Sequence, residues 1–313
     1  MDLLKRSLNK ISGSDKQVEY VVPSPFEHVD RHRNSTPPWY RPDEDFDDII
    51  APETYKLLSK RTGLDGEALK NHVLDIRRRA WRYGQYPAIG GMRFLRPTIQ
   101  KHPYFSEICS RLKNGASMLI IGPGLGQDLE FLIANGAPCD RMYAVDNRPE
   151  LWKLGQELFG HSTDDKSKDR DKLGPHFIAG SVTHSTFGRD FLKRHGQVDI
   201  ILSNHFFDSM DDVYGLSARR WLRPLLKPGT IVAGYQIGAE EPFESDGIIY
   251  NNRVTWWGDW IAIRSENRQR EISMELDLYE TVSLKDWGLQ PQEWNWHGRD
   301  DLHGVYWVVR RDK

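Results

Sequence analysis

The sequence predicts an α/β chain: a doubly wound, mostly parallel sheet of seven strands, preceded by a helical N-terminal extension. Three observations predict it. Short apolar runs recur at Met118–Ile121, Met142–Asp146 and Val198–Asn204, and continuous apolarity suits strands buried on both faces. Stretches with helical spacing alternate with these runs, the pattern of βαβ units. Between the first run and its helix lies Gly122-Pro123-Gly124-Leu125-Gly126, with glycine at every second place.

Taken in order, residues 1 to about 50 read as irregular, because Pro23, Pro25, Pro37, Pro38 and Pro42 punctuate a polar stretch that leads into the acidic Asp43–Asp48. Residues 53–83 turn helical on the spacing of Leu57, Leu58, Leu69, Val73, Leu74 and Ile76. Tyr86-Pro87-Ala88-Ile89-Gly90-Gly91 breaks that pattern, and a further helix is expected over 98–113. Helices follow the first two strands at 127–135 and 150–158, the first stopped by Gly136-Ala137-Pro138 and the second begun by Pro149. His176–Ala179 is a brief third strand. The helix at 213–226 ends at Lys227-Pro228-Gly229, and Thr230–Tyr235 is the fifth strand. After a helix over 256–263, Met274–Val282 and Val305–Val309 close the sheet; no helix separates them, so an antiparallel edge pair is expected. Ser162–Lys172 reads as a charged loop. The division expected is 1–95 for the extension, covering a pocket, and 96–313 for the sheet domain.

Bulk composition excludes several classes. With 313 residues, 38% hydrophobic and 28% charged, the chain can bury a large core. A net charge of −2 and a pI of 6.6 offer no broad basic face for nucleic acid. The run Arg77-Arg78-Arg79 with Arg82 reads as a solvated helix face. Two distant cysteines, Cys109 and Cys139, make neither a metal cluster nor a disulfide framework, so no metal is expected. Met1–Lys16 lacks the apolar core of a secretory signal, and no apolar run approaches the ~20 residues of a membrane span. A cytoplasmic location, a small-molecule substrate and no nucleic-acid partner are therefore expected, and a homodimer is compatible. Eleven tryptophans concentrate late, at Trp256, Trp257, Trp260, Trp287, Trp294, Trp296 and Trp307, which suits core packing or a bulky apolar ligand.

The glycine loop is the informative motif. Glycine permits positive φ and lets a ligand approach the backbone without a Cβ in the way. A dinucleotide fingerprint wants a small residue six positions in, but Gln127 stands there. The alternating spacing is the one methyltransferases use. Asp146 ends the second strand 20 residues after Gly126, where a carboxylate can accept from both ribose hydroxyls; an ordinary strand-end aspartate is the alternative. Asp128 lies in the first helical turn, and two readings stay open: it suits the helix dipole, or it faces the positive end of a cofactor.

These residues also carry a resemblance. Gly122-Pro-Gly-Leu-Gly-Gln-Asp-Leu-Glu-Phe-Leu, Asn135-Gly-Ala-Pro, Tyr143-Ala-Val-Asp-Asn-Arg-Pro-Glu-Leu and Leu154-Gly-Gln-Glu-Leu-Phe resemble the fungal natural-product, meroterpenoid-type class I methyltransferases. The likeness extends over residues 86–310, through Tyr86-Pro87, Arg93-Phe94-Leu95, Leu226-Lys-Pro-Gly-Thr, Gln236-Ile-Gly and the Asn252–Trp260 region. It implies a Rossmann-like methyltransferase sheet, S-adenosyl-L-methionine as cofactor, and methyl transfer to a natural-product intermediate, often at a carboxylate. It also implies a helical segment closing over the pocket. Carried over by position, Gly122, Gly124, Gly126, Gln127, Asp128 and Asp146 line the cofactor. Asn147, Val182 and Asn204 join the expected set, with Ser181 reaching the adenine amine. Two departures stand out: Ser181 occupies the place of an acid, and Asp208 that of a histidine.

Methyl transfer is an in-line displacement, so the enzyme must hold nucleophile, methyl and sulfur collinear. A carboxylate nucleophile needs no base, whereas a hydroxyl benefits from one. His205 and Asp208, just past the fourth strand, are the candidate base or orienting groups. Trp256 and Trp257 are candidate walls of the acceptor pocket, with packing as the alternative. Arg253 and Arg93 are candidate anchors for an acceptor carboxylate, solvent exposure being the simpler reading of Arg253. A cyclase or isomerase that uses the sulfonium only as a charge, and a regulatory protein on the same fold, are the rival expectations.

Overall fold

In the computed structural model, β1 (Met118–Ile121) is buried along its whole length, as four consecutive apolar residues demand, and it occupies the middle of the sheet. The structure describes residues 36–161, 175–207, 210, 212–245, 248–265, 273–294 and 298–312. Expectations for Met1–Lys16, Pro23, Pro25, the Ser162–Lys172 loop, Asp208 and Trp296 lie outside those residues. The further strands are β2 (Met142–Asp146), β3 (His176–Ala179), β4 (Val198–Leu202), β5 (Leu226–Ala239), a short hairpin β6 (Phe243–Ser245) and β7 (Ile248–Tyr250), then β8 (Met274–Val282) and β9 (Leu302–Arg311). The seven-stranded sheet runs β3-β2-β1-β4-β5-β9-β8. Its first five strands are parallel, and β9 lies antiparallel between β5 and β8.

The helices are α1 (Phe46–Ile49), α2 (Pro52–Thr62), α3 (Gly66–Trp81), α4 (Pro87–Gly90), α5 (Phe105–Lys113), α6 (Gln127–Ala134), α7 (Pro149–Leu158), α8 (Phe187–His195), α9 (Asp212–Leu222) and α10 (Arg253–Ser265). Side-chain alternation along the strands divides the core into two layers. Met118 and Ile120 point to α6, α7 and the extension, while Leu119 and Ile121 point to α8, α9 and α10. The helical run expected over 53–83 is two helices, because Gly63 (φ 73°) ends one and Asp65 caps the next by accepting from the Gly66 N–H. The acidic stretch expected to be irregular opens with a 3-10 turn at Asp43–Asp45 and continues into α1. The helix expected from 98 begins at Phe105, after a separate turn at Ile99–Lys101.

Charged groups fasten the extension to the sheet domain. Arg79 grips Glu157 of α7 with two hydrogen bonds of 2.6 and 2.7 Å, and His72 Nε2 lies 3.2 Å from the Leu158 carbonyl. The basic run was expected to face solvent, but Arg77 turns inward and is 1% exposed. Its guanidinium donates to Asp43 at 2.6 Å and to the Ile89 and Gly90 carbonyls, and stacks over Tyr40. Only burial of the stem with every donor directed inward makes such a position tolerable.

On the other side Glu293, whose side chain is 0% exposed, receives Arg96 bidentately at 2.6 and 3.1 Å and the Gln290 N–H at 3.0 Å. Arg93 donates to the Glu293 carbonyl at 2.5 Å, and Arg41 lies 3.6 Å from its carboxylate. Removing one partner from such a cluster strands buried charge. Glu293→Ala should therefore cost about 3–5 kcal/mol in urea unfolding, with new protease cleavage in the extension; a loss under about 1 kcal/mol would show that the cluster adds little.

His102 is buried against β5, its Nε2 3.2 Å from the Gly234 carbonyl and its Nδ1 accepting from the Tyr104 N–H at 3.1 Å. Burial pushes its pKa down to about 4 from the ordinary 6.5. Between those values the unfolded chain binds the extra proton, so this contribution is complete above pH 6.5 and fades as pH falls toward 4. His102→Gln should lack that pH slope, worth up to ~3 kcal/mol, in denaturation curves compared with the parent chain. Parallel curves for the two proteins would contradict it.

Candidate functional site

All three glycines of the loop after β1 have positive φ: 63° at Gly122, 57° at Gly124 and 79° at Gly126. Only glycine holds such angles without strain. The loop stays tied to the sheet through the Gly122 N–H, which donates to the Val145 carbonyl at 2.9 Å. It turns tightly into α6 through Gly126 N–H to Pro123 O, at 2.8 Å. Each glycine faces something different. A Cβ on Gly122 would meet the Phe206 ring at 2.6 Å, and one on Gly126 the Trp152 ring at 3.3 Å. On Gly124 it would meet nothing within 4 Å, so open space lies over the middle of the loop.

Asp146, at the tip of β2, looks onto that space. One carboxylate oxygen accepts from the Gly124 N–H at 3.3 Å and the other from the Arg148 N–H at 2.9 Å. Burial pushes its pKa above the usual carboxylate range, against the pull of those backbone donors and the Arg148 charge. Tyr86, from the extension, reaches the same strand tip beside Arg148 and Asp146, and burial raises its phenol.

On the α6 side, Asp128 is 4% exposed. Its Oδ2 accepts from Asn204 Nδ2 at 2.8 Å and from the Tyr235 hydroxyl at 2.9 Å. Its Oδ1, and Oδ1 of Asn204, are buried with no hydrogen-bond donor among the described residues. Burial raises the Asp128 pKa, opposed by Asn204, Tyr235 and the nearby His205. His205 is half-buried at φ 51°, its N–H donating to the Tyr235 carbonyl at 2.8 Å. Its ring stands edge-on to Tyr235 and Trp287, with centroids 5.0 and 5.7 Å away. At this edge of the sheet the structure thus gathers a carboxylate, a glycine with open space above it and two buried acceptors without a donor among the described residues. A ligand with hydroxyls at one end and a cation at the other matches that set.

The fold brings Gly122, Gly124, Gly126, Gln127, Asp128, Asp146, Asn204 and His205 to the carboxyl ends of β1, β2 and β4. Asn147 is exposed beside Asp146. Ser181 follows β3 with its hydroxyl 2.7 Å from Thr183 Oγ1, and Val182 packs into the second core layer. The remaining candidates lie elsewhere. Of the two readings of Trp256, packing is realised: it is fully buried beside Trp260, Trp307 and Tyr279, with Nε1 donating to Gln236 at 3.3 Å. Trp257 is half-buried against the same layer, and Arg253 is exposed. Arg93 is held by the Glu293 carbonyl.

Sequence reading missed Phe206, Tyr235, Tyr86 and Gly155. An isolated glycine inside a helical pattern was the available signal for Gly155: a Cβ there would lie 2.2 Å from the Leu125 carbonyl oxygen, so α7 packs directly on the loop.

Sheet order, glycine loop and acid at the second strand tip together are those of a Rossmann-like methyltransferase. The chain belongs to the fungal meroterpenoid-type methyltransferase family. Residues 39–95 match the meroterpenoid methyltransferase N-terminal domain. The asnovolin E/chermesin D methyltransferase nvfJ of Aspergillus novofumigatus is 33% identical over 249 residues, 77% of this chain and 82% of that protein. The O-methyltransferase atr3 of Stereocaulon alpinum is 30% identical over 247 residues, 75% of this chain and 66% of that one. Among solved structures, a phosphoethanolamine N-methyltransferase 2 of Haemonchus contortus superposes with a TM-score of 0.48 at 12% identity, over 85% of this chain and 61% of that one.

The glycines make separable predictions. Gly124→Ala, at φ +57° in open space, should cost only about 1–2 kcal/mol in stability yet weaken S-adenosylmethionine binding about tenfold or more by calorimetry. Gly155→Ala should lower both stability and affinity, because its Cβ displaces the loop backbone. Unchanged affinity in Gly124→Ala would place the ligand elsewhere.

Proposed function

We propose that this enzyme methylates an oxygen, carboxylate or hydroxyl, of a small-molecule natural-product intermediate of meroterpenoid type. The observation that carries the reading is the pair of buried acceptors on Asp128 and Asn204, without a donor among the described residues, at the same carboxyl edge of the sheet as Gly124 and Asp146. When bound, S-adenosylmethionine supplies a methyl group activated by a positively charged sulfur.

The chain's residues do the rest. Asp146 would accept from the ribose hydroxyls, and Asp128 with Asn204 would accept from the ammonium of the amino-acid end, satisfying atoms that are otherwise costly to bury. Gly124 lets the ligand lie against the backbone. Ser181 would reach the adenine amine, and Gln127, Asn147 and Val182 would complete the cofactor's surroundings. His205, beside Asp128 and clamped by two aromatic rings, faces the acceptor; it takes the proton of a hydroxyl acceptor, or orients a carboxylate that needs no base. Asp208, three residues further along the chain, is a second orienting group. Phe206, half-buried over Gly122, offers apolar surface to a polycyclic acceptor. The chain divides near residue 95 into a pocket cover and a catalytic unit, acting in the cytoplasm on a small molecule and not on nucleic acid.

Incubation of a carboxylic-acid or phenolic intermediate with methyl-labelled cofactor should transfer label to the product; product free of label would refute methylation. Asp146→Ala should weaken cofactor binding about 10- to 100-fold, the size of a lost hydrogen bond to a charged group. His205→Ala should lower turnover by about 10²- to 10⁴-fold on a hydroxyl acceptor and leave a carboxylate acceptor nearly unaffected.

A further inference from the structure

Tyr235 lies at the hub of the site and no motif marks it. It is 3% exposed on β5 and makes three directed contacts at once. Its hydroxyl donates to Asp128 Oδ2 at 2.9 Å, its carbonyl accepts the His205 N–H at 2.8 Å, and its ring stands at 90° to the His205 ring with centroids 5.0 Å apart. The same ring packs edge-on to Trp287 at 5.6 Å. His205 has positive φ, a conformation that persists only where its surroundings hold it. Here its N–H is anchored by the Tyr235 carbonyl.

We propose that Tyr235 is a positioning residue that sets the cofactor-side carboxylate and the acceptor-side imidazole in one geometry, so that a single side chain tunes both cofactor affinity and turnover. The inference rests on the proposed function, because it takes Asp128 as the partner of a cofactor cation. The two effects separate by atom. The hydroxyl acts on Asp128: each donor it loses makes its ionised form harder to keep in a buried place. The ring acts on His205.

The pH behaviour follows from the groups that face Asp128, which are Asn204 and His205 from the segment after β4 and Tyr235 from β5. Only the ionised carboxylate attracts a cation, so affinity is complete above its pKa and falls as pH drops through it. Removing the tyrosine hydroxyl lifts that limb to higher pH.

Calorimetric titration with S-adenosylmethionine from pH 4 to 9, on the full chain, tests this alongside steady-state kinetics. Tyr235→Phe should bind roughly tenfold more weakly at neutral pH, with its acid limb about one pH unit higher and turnover at saturation within about twofold. Tyr235→Leu should lose turnover as well, by about tenfold or more. If the phenylalanine variant does not fold, an isosteric fluorinated tyrosine at this position, a stronger donor, should move the limb to lower pH. An unmoved limb in the Phe or fluorinated protein, or parental turnover in Tyr235→Leu, would overturn the inference. A parent chain that binds no S-adenosylmethionine would instead overturn the proposed function, so that titration is read first.

Discussion

Backbone geometry at Gly122–Gly126 is the constraint on which the site depends. Three residues held at positive φ allow the chain to leave β1, pass beneath an open space and enter α6 within five positions. Everything around the loop accommodates that path. Gly155 lets α7 touch it, Trp152 lies over Gly126 and stacks on Phe177 with centroids 5.1 Å apart, and Phe206 covers Gly122. The carboxylate of Asp146 closes the turn by accepting from the Gly124 N–H. A side chain on any of these glycines would have to fill the cleft, collide with a ring or distort the turn, so the loop's shape and its capacity to hold a ligand are one property.

A second theme is the use of paired charge as a fastener. The extension is tied down by Arg79 on Glu157, by Arg61 on Glu130 at 3.1 Å, and by the arginines around Glu293. Glu130 is also bonded to His161 at the far end of α7. The exposed Arg79–Glu157 pair contributes little. The pairs on the buried carboxylates of Glu130 and Glu293 add little net stability compared with apolar packing, but breaking one is expensive, so they fix where the extension sits. That placement brings Tyr86 to the tip of β2. The arginines that read as a solvated surface are in part internal staples, which accords with a chain of small net charge.

The parts legible in the sequence were those governed by local periodicity. The central strands, the glycine loop and Asp146 each announce themselves within a few residues, and the antiparallel pair β8 and β9 followed from the lack of an intervening helix. The expected strand over 230–235 extends to Leu226–Ala239, because pairing with β9 continues the ladder to Ala239 and Leu226 pairs with Val198 of β4 at the other end. Helix α8 went unread because its apolar residues, Phe187, Phe191 and the partly exposed Leu192, are too few to form a stripe. The hairpin β6–β7 is only three residues a side. Side-chain destinations were the least legible. Asp128 finds partners 76 and 107 residues away, and Arg96 finds Glu293 197 residues on. Spacing carries no record of such meetings, so Tyr235 and Glu293 could not be singled out, and Trp256 looked as much like a pocket wall as a core residue.

The proposed cofactor crevice runs between Asp146 and the Asp128–Asn204 pair, with Gly124 beneath it. A crystal structure with sinefungin, whose amine replaces the sulfonium methyl, tests this most directly. The expected result is ribose hydroxyls within hydrogen-bond distance of Asp146 and the ligand's α-ammonium on Asp128 Oδ1 and Asn204 Oδ1. Well-ordered ligand anywhere else, or a crevice closed by protein side chains at saturating sinefungin, would contradict it.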